Sequence, residues 1–260
     1  SCIECPLRSA EVEACWSSYK DNVSLASSRR RKGDGIVETF LGVPGISIED
    51  VAEGQIVVMS AAHCTPYEPG RPSHSCEAPA AIRAAGAKFA GWHSHHDFDT
   101  GRALLPDDHR VVDAGEIETL PDTPEANRAA ITAAVRTVLD AGGVPIVFGG
   151  DDSVPIPVLQ AYEKRGPIWI VQVDAHIDWR DERFGEPLGW SSPMRRASEM
   201  GWVEGIVQLG VRGVGSATPD EVEFATAWGA KLITARDLFA DGIAAGVAHV
   251  PAGARVFVTV

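Results

Sequence analysis

Two short polar segments rich in carboxylates follow directly on apolar runs of the sequence. Residues 174–178, with the sequence DAHID, come after the run 168–173, and residues 149–153, GGDDS, come after the run 144–148. Carboxylate and imidazole groups are the side chains that most often bind hard or borderline divalent metal ions. The first chemistry to consider for these two segments is therefore that of a metal site.

Within the first segment, Asp174, His176 and Asp178 occupy alternate positions. If the extended backbone of the preceding run continues, all three side chains project to one side. Carboxylates gathered away from water repel one another unless a cation lies between them. Asp152 can add a ligand from the neighbouring strand end. We therefore predict a metal site made of Asp152, Asp174, His176 and Asp178. The other interpretation is a loop with capping side chains and one hydrogen-bonded histidine.

The donor types and the charge of the chain indicate what this site accepts. Carboxylate oxygen and imidazole nitrogen without a thiolate suit Mn²⁺, and less strongly Zn²⁺ or Ni²⁺. The formal net charge is −13, which repels nucleic acid phosphates and raises the local concentration of small cations. We expect a small cationic substrate and no nucleic acid partner.

Apolar runs and helical segments alternate along the chain and provide the elements that position the two polar segments. The predicted strands are 55–59, 144–148, 168–173, 206–210, 231–234 and 255–260. The predicted helices are 78–90, 123–141, 153–165, 192–201, 219–228 and 235–247. This alternation is typical of βαβ units, which build a parallel sheet covered on both faces. Ligands of such sheets bind at the carboxyl ends of the strands, where both polar segments lie.

Composition and length favour one large domain preceded by an extension. The chain has 260 residues, of which 45% are hydrophobic, and no apolar run long enough to span a membrane. Residues 1–35 are rich in Ser, Arg and Cys, and we expect a poorly ordered extension there, followed by the domain 36–260. The five cysteines are an odd number and no secretory signal is seen, so we expect reduced thiols and a cytoplasmic protein.

Four stretches of the sequence resemble motifs of the ureohydrolase (arginase/agmatinase) family. Residues 174–178 resemble the family's DAHxD motif, and residues 149–153 are similar to its GGDHS motif. Residues 194–197, MRRA, resemble its FRRA-type stretch, and residues 75–83, SCEAPAAIR, resemble its GPxAIR stretch. The similarity covers roughly residues 40–260.

The resemblance implies a fold and a reaction. The fold would be a three-layer α/β/α domain of the arginase type around a mainly parallel sheet. Two Mn²⁺ ions would hold a bridging hydroxide that attacks the guanidinium carbon of an agmatine-like substrate, releasing urea and an amine. The resemblance further implies a role in polyamine metabolism and a homo-oligomer, either a trimer or a hexamer.

The sequence departs from the family pattern at three places. Asp152 stands where the family usually has a histidine ligand, and carboxylate in place of imidazole changes the charge and metal preference of a site. Trp190 stands about where agmatinases carry a histidine thought to assist proton transfer, so no catalytic acid or base is assigned. The family's SxDxD motif, with two more ligands, would follow Val260. We therefore expect a domain that is incomplete at its C-terminus, with weak metal binding and little activity.

Three other interpretations remain open at this stage. One is a zinc deacylase of related fold, which also uses an Asp-x-His strand end. Another is a non-catalytic homologue that acts as a subunit of an assembly. Finally, residues 93–99, HSHHDFD, have the side-chain types of a metal site, although the resemblance places them in a loop near the substrate.

Overall fold

The structure, a computed structural model, describes residues 39–68, 70–105 and 110–260. Residues Glu38–Val260 form one compact unit by their internal contacts. The expected extension 1–35, with three of the cysteines, lies outside the described residues. Among the helices that the structure does describe, none is both long and apolar enough to cross a membrane.

The strands form mainly parallel sheets. In the described part of the chain they are β1 (Ile56–Ala61), β2 (His96–Asp97), β3 (Arg102–Ala103), β4 (Val111–Glu116), β5 (Val144–Gly149), β6 (Ile168–Val173), β7 (Val203–Val211), β8 (Lys231–Thr234) and β9 (Val256–Thr259). One sheet has the order β4-β1-β5 and another the order β8-β7-β6-β9, with every neighbouring pair parallel. Only the short pair β2-β3 is antiparallel among the described strands. The predicted parallel architecture is confirmed.

Most helices are shorter than the sequence predicts, whereas the predicted helix 219–228 is confirmed with the same bounds. Their bounds are α1 (Ala78–Gly86), α2 (Pro124–Asp140), α3 (Pro155–Gln160), α4 (Pro193–Ser198), α5 (Pro219–Trp228), α6 (Ala235–Asp241) and α7 (Ile243–Val247). The predicted helix 235–247 is interrupted at Gly242, whose φ of 81° lies outside the helical region. The best-defined start is that of α5, where the Thr218 hydroxyl and the Glu221 carboxylate each accept a hydrogen bond from the other's backbone N–H.

Strand β4 is absent from the sequence-based prediction. Its sequence VVDAGE contains a buried acid and a glycine, both of which are uncommon inside strands. Asp113 is nevertheless tolerated there because Arg83 of α1 pairs with it through two hydrogen bonds, from Nε to Oδ2 at 3.0 Å and from Nη2 to Oδ1 at 2.9 Å. A buried ion pair thus ties α1 to this edge of the sheet.

Helices cover both faces of the four-stranded sheet. On one face, Ile168 and Ile170 of β6 belong to a core that includes Met194 of α4 and Ala225 of α5. On the other face, Val171 belongs to a separate cluster that contacts α6. The three-stranded sheet packs against α2 and α3. These layers fix the carboxyl ends of β5 and β6, after which the two polar segments begin.

Candidate metal centre

The segment after β5 is a turn held tightly against β1. The N–H of Gly150 donates to the carbonyl of Ala61 at 2.8 Å. A Cβ atom on Gly150 would lie only 2.0 Å from the carbonyl oxygen of Ala62, so a side chain cannot be accommodated there. Asp151 accepts hydrogen bonds from the N–H and the hydroxyl of Ser153. Asp151 therefore shapes the turn, while Asp152 faces the cavity described below.

The segment after β6 leaves the strand conformation at once. Strand β6 ends at Val173, and Asp178 has a φ of 54°, in the left-handed region. The carboxylate of Asp174 accepts a hydrogen bond from the N–H of His176 at 2.8 Å, which closes a local turn. The assumption that extended geometry continues through this segment is therefore wrong. Its side chains are positioned by a turn, not by strand alternation.

Three carboxylates meet between the two segments. Asp152, Asp174 and Asp178 each offer an oxygen, and these oxygens lie within 4.8 Å of one another. The Oδ2 atom of Asp152 is buried and has no hydrogen-bond partner. An unpaired buried carboxylate oxygen is costly, because neither water nor a donor compensates its charge.

Burial and mutual repulsion disturb the acidity of this cluster. Burial raises the pKa of Asp178 to about 6; the charge of Asp174 adds to this shift and a hydrogen bond from Gln172 opposes it. Burial also raises the pKa of Asp152 well above its ordinary value, and the neighbouring charge of Asp178 acts in the same direction. A divalent cation among the three oxygens would compensate both effects and occupy the unpaired oxygen of Asp152. The donor set fits a metal ion.

His176, the fourth residue of the predicted site, stands apart from the carboxylate group. Its side chain is 60% exposed, and its Nδ1 lies 3.1 Å from Oδ1 of Asp174. The ring lines the same cavity as the three carboxylates. The structure thus brings together Asp152, Asp174 and Asp178 and leaves His176 at the edge of the group.

The histidines of the segment 93–99 have other contacts. The His93 ring Nε2 lies 2.6 Å from the carbonyl of Leu41, and the His95 ring stacks on Trp92 with centroids 5.7 Å apart. His96 packs edge-on against Phe98. The described residues contain no second group of three or more potential metal ligands.

A chain of buried side chains behind Asp178 was not found from the sequence. Gln172 of β6 donates to Oδ2 of Asp178 at 2.6 Å, and Gln208 of the adjacent β7 donates to Oε1 of Gln172. The indole of Trp179 donates to Oε1 of Gln208 at 2.7 Å. A signal was available: each glutamine is the one polar residue within an apolar strand core, WIVQV and IVQLG.

The carboxylates open into a cavity of about 340 Å³, within the size range of small-molecule sites. Trp190 lines this cavity and packs against Tyr67 in a tilted arrangement, with ring centroids 4.0 Å apart and an angle of 53° between the ring planes. Gly189 permits this contact, since a Cβ there would lie 2.0 Å from the Tyr67 ring. His74 packs edge-on against Trp190 at 5.3 Å. Trp190 thus forms a wall of the cavity, and its indole cannot relay protons as a histidine can.

Comparisons with known proteins agree on one family. Residues 57–260 match the model of the arginase family. The chain is 33% identical over 146 residues to the mitochondrial agmatinase of Gallus gallus, which covers 55% of this chain and 42% of the relative. It is 32% identical over 130 residues to the mitochondrial guanidino acid hydrolase of Homo sapiens, covering 49% and 37%, respectively. The matches thus span less than half the length of these curated relatives.

The solved structures show the same fold. Proclavaminate amidino hydrolase from Streptomyces clavuligerus superposes with a TM-score of 0.70 at 24% identity, over 86% of this chain and 73% of that one. Formimidoylglutamase from Bacillus subtilis superposes with a TM-score of 0.68 at 19% identity, over 88% and 71%. The family match covers most of the chain and includes both polar segments. The chain belongs to the arginase family.

Proposed function

We propose that the protein hydrolyses the guanidino group of a small substrate to urea and an amine, using divalent metal held by Asp152, Asp174 and Asp178. The observation that carries this proposal is the unpaired, buried Oδ2 of Asp152 within a group of three carboxylates. No arginine or lysine of the described residues forms an ion pair with these three carboxylates. His176 is proposed as a further ligand because its ring lies against Asp174 in the same cavity.

The carboxylate donors favour Mn²⁺, with Ni²⁺ or Zn²⁺ as alternatives. A bound divalent ion, or a pair of them, would lower the pKa of a coordinated water and so supply a nucleophile at neutral pH. The chain's own residues have distinct tasks. The hydrogen bond from Gln172 orients Asp178, and the contacting rings of Tyr67 and Trp190 exclude water from one wall.

The names of the relatives support the guanidino group as the target. They include agmatinase, guanidino acid hydrolase and guanidinopropionase. The substrates named there share a guanidino group and differ in the rest of the molecule. An agmatine-like substrate would place the enzyme in polyamine metabolism, whereas a guanidino acid would not.

Urea release tests the proposal directly. The protein is incubated with agmatine, 4-guanidinobutyrate, 3-guanidinopropionate or arginine in the presence of Mn²⁺, Ni²⁺, Co²⁺ or Zn²⁺. We expect slow but measurable release of urea from at least one substrate, and its loss in Asp178→Asn. The control is Asp140→Asn, which removes a surface carboxylate paired with Arg165 and leaves the cavity unchanged. Absence of urea under every condition contradicts the proposal and leaves the non-catalytic homologue as the explanation.

The deacylase alternative is separated by its product. A zinc deacylase would release a carboxylic acid from an acylated amine and no urea. The donor set does not separate the two activities, because carboxylate and imidazole ligands also hold zinc. Acid release from an acylated amine, with no urea from guanidino compounds, would favour the deacylase.

The same proposal includes the domain limits, the assembly and the compartment. We place the arginase-like domain at 36–260, with residues 1–35 as an extension. The supporting observation is that Glu38–Val260 forms one unit. A cytoplasmic homo-oligomer, either a trimer or a hexamer, is proposed from the family resemblance. Light scattering of the purified protein tests the assembly, and fractionation of cells tests the compartment.

A further inference from the structure

A tight turn places one arginine on the cavity wall. Arg183 and Glu186 exchange backbone hydrogen bonds of 3.1 and 3.0 Å across a two-residue loop. The two loop residues, Phe184 and Gly185, have φ values of 55° and 80°, as a type I′ turn requires. Phe184 at the tip is 79% exposed. The turn thereby fixes the backbone of Arg183, from which its side chain extends.

Aromatic rings hold the guanidinium of Arg183. It lies 5.5 Å from the ring centroid of Tyr67 and 5.1 Å from that of Phe184. Cation–π contacts of this kind orient a guanidinium but leave its N–H donors free. Arg183 lines the cavity that contains the three carboxylates, and also a second cavity that adjoins it at His74 and Trp190.

The other arginines of the two cavities are already neutralised. Arg180 pairs with Glu221 at 3.2 Å, and Arg71 pairs with Glu68 at 2.9 Å. Arg183 forms no ion pair with any carboxylate that the structure describes. The cavity is therefore lined by the carboxylates proposed to hold the metal and by one arginine that has no ion pair among the described residues.

We propose that Arg183 binds the carboxylate of the substrate, so that the enzyme acts on a guanidino acid in preference to agmatine. This inference rests on the proposed function, which places the reacting guanidino group beside the metal held by Asp152, Asp174 and Asp178. A guanidino acid carries opposite charges at its two ends, and its carboxylate would pair with Arg183 while its guanidino group lies beside the metal. Agmatine carries a positive charge at each end, and its ammonium would meet the guanidinium of Arg183.

The net charge of the chain does not decide this preference. A charge of −13 draws cations towards the whole surface, but the terminal group of a bound ligand interacts mainly with the nearest charge. Arginine binds carboxylates through two parallel N–H donors, which adds geometric selectivity to the charge. Lysine at this position would keep the charge but lose the paired donors.

Two ligands of similar length and opposite terminal charge provide the test. The affinities of 4-guanidinobutyrate and agmatine are measured by calorimetry in Mn²⁺ for the wild type, Arg183→Gln and Arg183→Glu. We expect the wild type to bind 4-guanidinobutyrate more tightly. Arg183→Gln should weaken that binding about 10-fold or more, since a charge-assisted pair is lost. Arg183→Glu should reverse the preference. Arg136→Gln, which alters a surface arginine paired with Glu163, is the control and should change neither affinity.

The outcomes separate this inference from the proposed function. Equal or tighter binding of agmatine by the wild type overturns the inference. So does an unchanged affinity for 4-guanidinobutyrate in Arg183→Gln, or binding of neither ligand. If 4-guanidinobutyrate binds through Arg183 but no guanidino compound yields urea, the carboxylate site stands and the hydrolytic function fails. Arginine in the same assay shows whether an added α-amino group is tolerated.

Discussion

Two regions of the molecule bury aspartates in opposite ways. Asp113 is 3% exposed and accepts two hydrogen bonds from Arg83 and one each from the backbone N–H groups of Phe40 and Gly115. Burial alone would raise the pKa of Asp113, but these hydrogen bonds outweigh it and hold the pKa below its ordinary value. Its charge is fully compensated within the protein.

The carboxylates at the strand ends lack this compensation. Asp178 is 9% exposed and has Gln172 as its neutral donor, and Asp152 has a buried oxygen without a partner. The pKa values of both are raised, whereas that of Asp113 is lowered. Burial by itself therefore does not identify a functional acid. The distinguishing feature is a group of three carboxylates whose oxygens lie within 4.8 Å of one another and form no ion pair with an arginine or lysine of the described residues.

The largest effect on stability is expected at Asp113, the buried aspartate whose charge is compensated by Arg83. Arg83→Leu would leave Asp113 buried without its cation, and we expect a loss of about 3–5 kcal/mol in the free energy of unfolding. Urea denaturation followed by circular dichroism measures it. Arg136→Leu is the matched control, because that arginine forms a half-exposed pair with Glu163, and such pairs contribute about 0–1 kcal/mol. Equal losses in the two variants would contradict the structural role of the buried pair.

A smaller effect is expected on metal affinity when Gln172, the neutral side chain that donates to Asp178, is replaced. Gln172→Leu keeps the size of the side chain and removes the donor to Asp178. We expect Mn²⁺ affinity to fall about 10–100-fold, the range for groups that orient metal ligands. Gln160→Leu, at the end of α3, is the control. If Mn²⁺ affinity is unchanged while the free energy of unfolding drops, the glutamine chain serves only packing.

The smallest effect is expected in the pH dependence of stability. Protonation of Asp113 removes only part of the free energy of unfolding that its buried pair with Arg83 contributes. The pKa of Asp113 is lowered in the folded protein, so its contribution is present above the pKa of an unfolded aspartate, about 3.9. It is lost as the pH falls through the lower, folded value. The wild type should therefore lose stability in acid more steeply than Asp113→Asn. Parallel pH profiles of the two proteins would contradict this.

The sequence predicts the parallel architecture and the polar segments well, because both depend on local patterns. The alternation of apolar runs and helices indicates the sheet, and three of the four predicted metal ligands come together in the structure. Strand β4 was missed because its buried Asp113 depends on Arg83, which lies 30 residues earlier in the chain. A partner so distant in sequence leaves no local periodicity.

Local sequence patterns also do not predict the detailed geometry of the site. The backbone of Asp178 adopts a positive φ, and this turn, which alternation cannot indicate, places Asp178 beside Asp152. The support of Asp178 by Gln172 depends on the pairing of β6 with β7, in which Gln172 faces Gln208. The position of Arg183 depends in the same way on Tyr67, which comes from a distant loop.

A calorimetric titration of Mn²⁺ into the wild type and into Asp178→Asn tests whether Asp152, Asp174 and Asp178 form a metal site. We expect the wild type to bind Mn²⁺ and the variant to bind it at least about 100-fold more weakly, beyond the range for loss of a supporting group. Asp140→Asn should behave as the wild type, since that surface aspartate pairs with Arg165 away from the cluster. Equal Mn²⁺ affinity in the wild type and Asp178→Asn, or no binding by the wild type, would show that these carboxylates do not form a metal site.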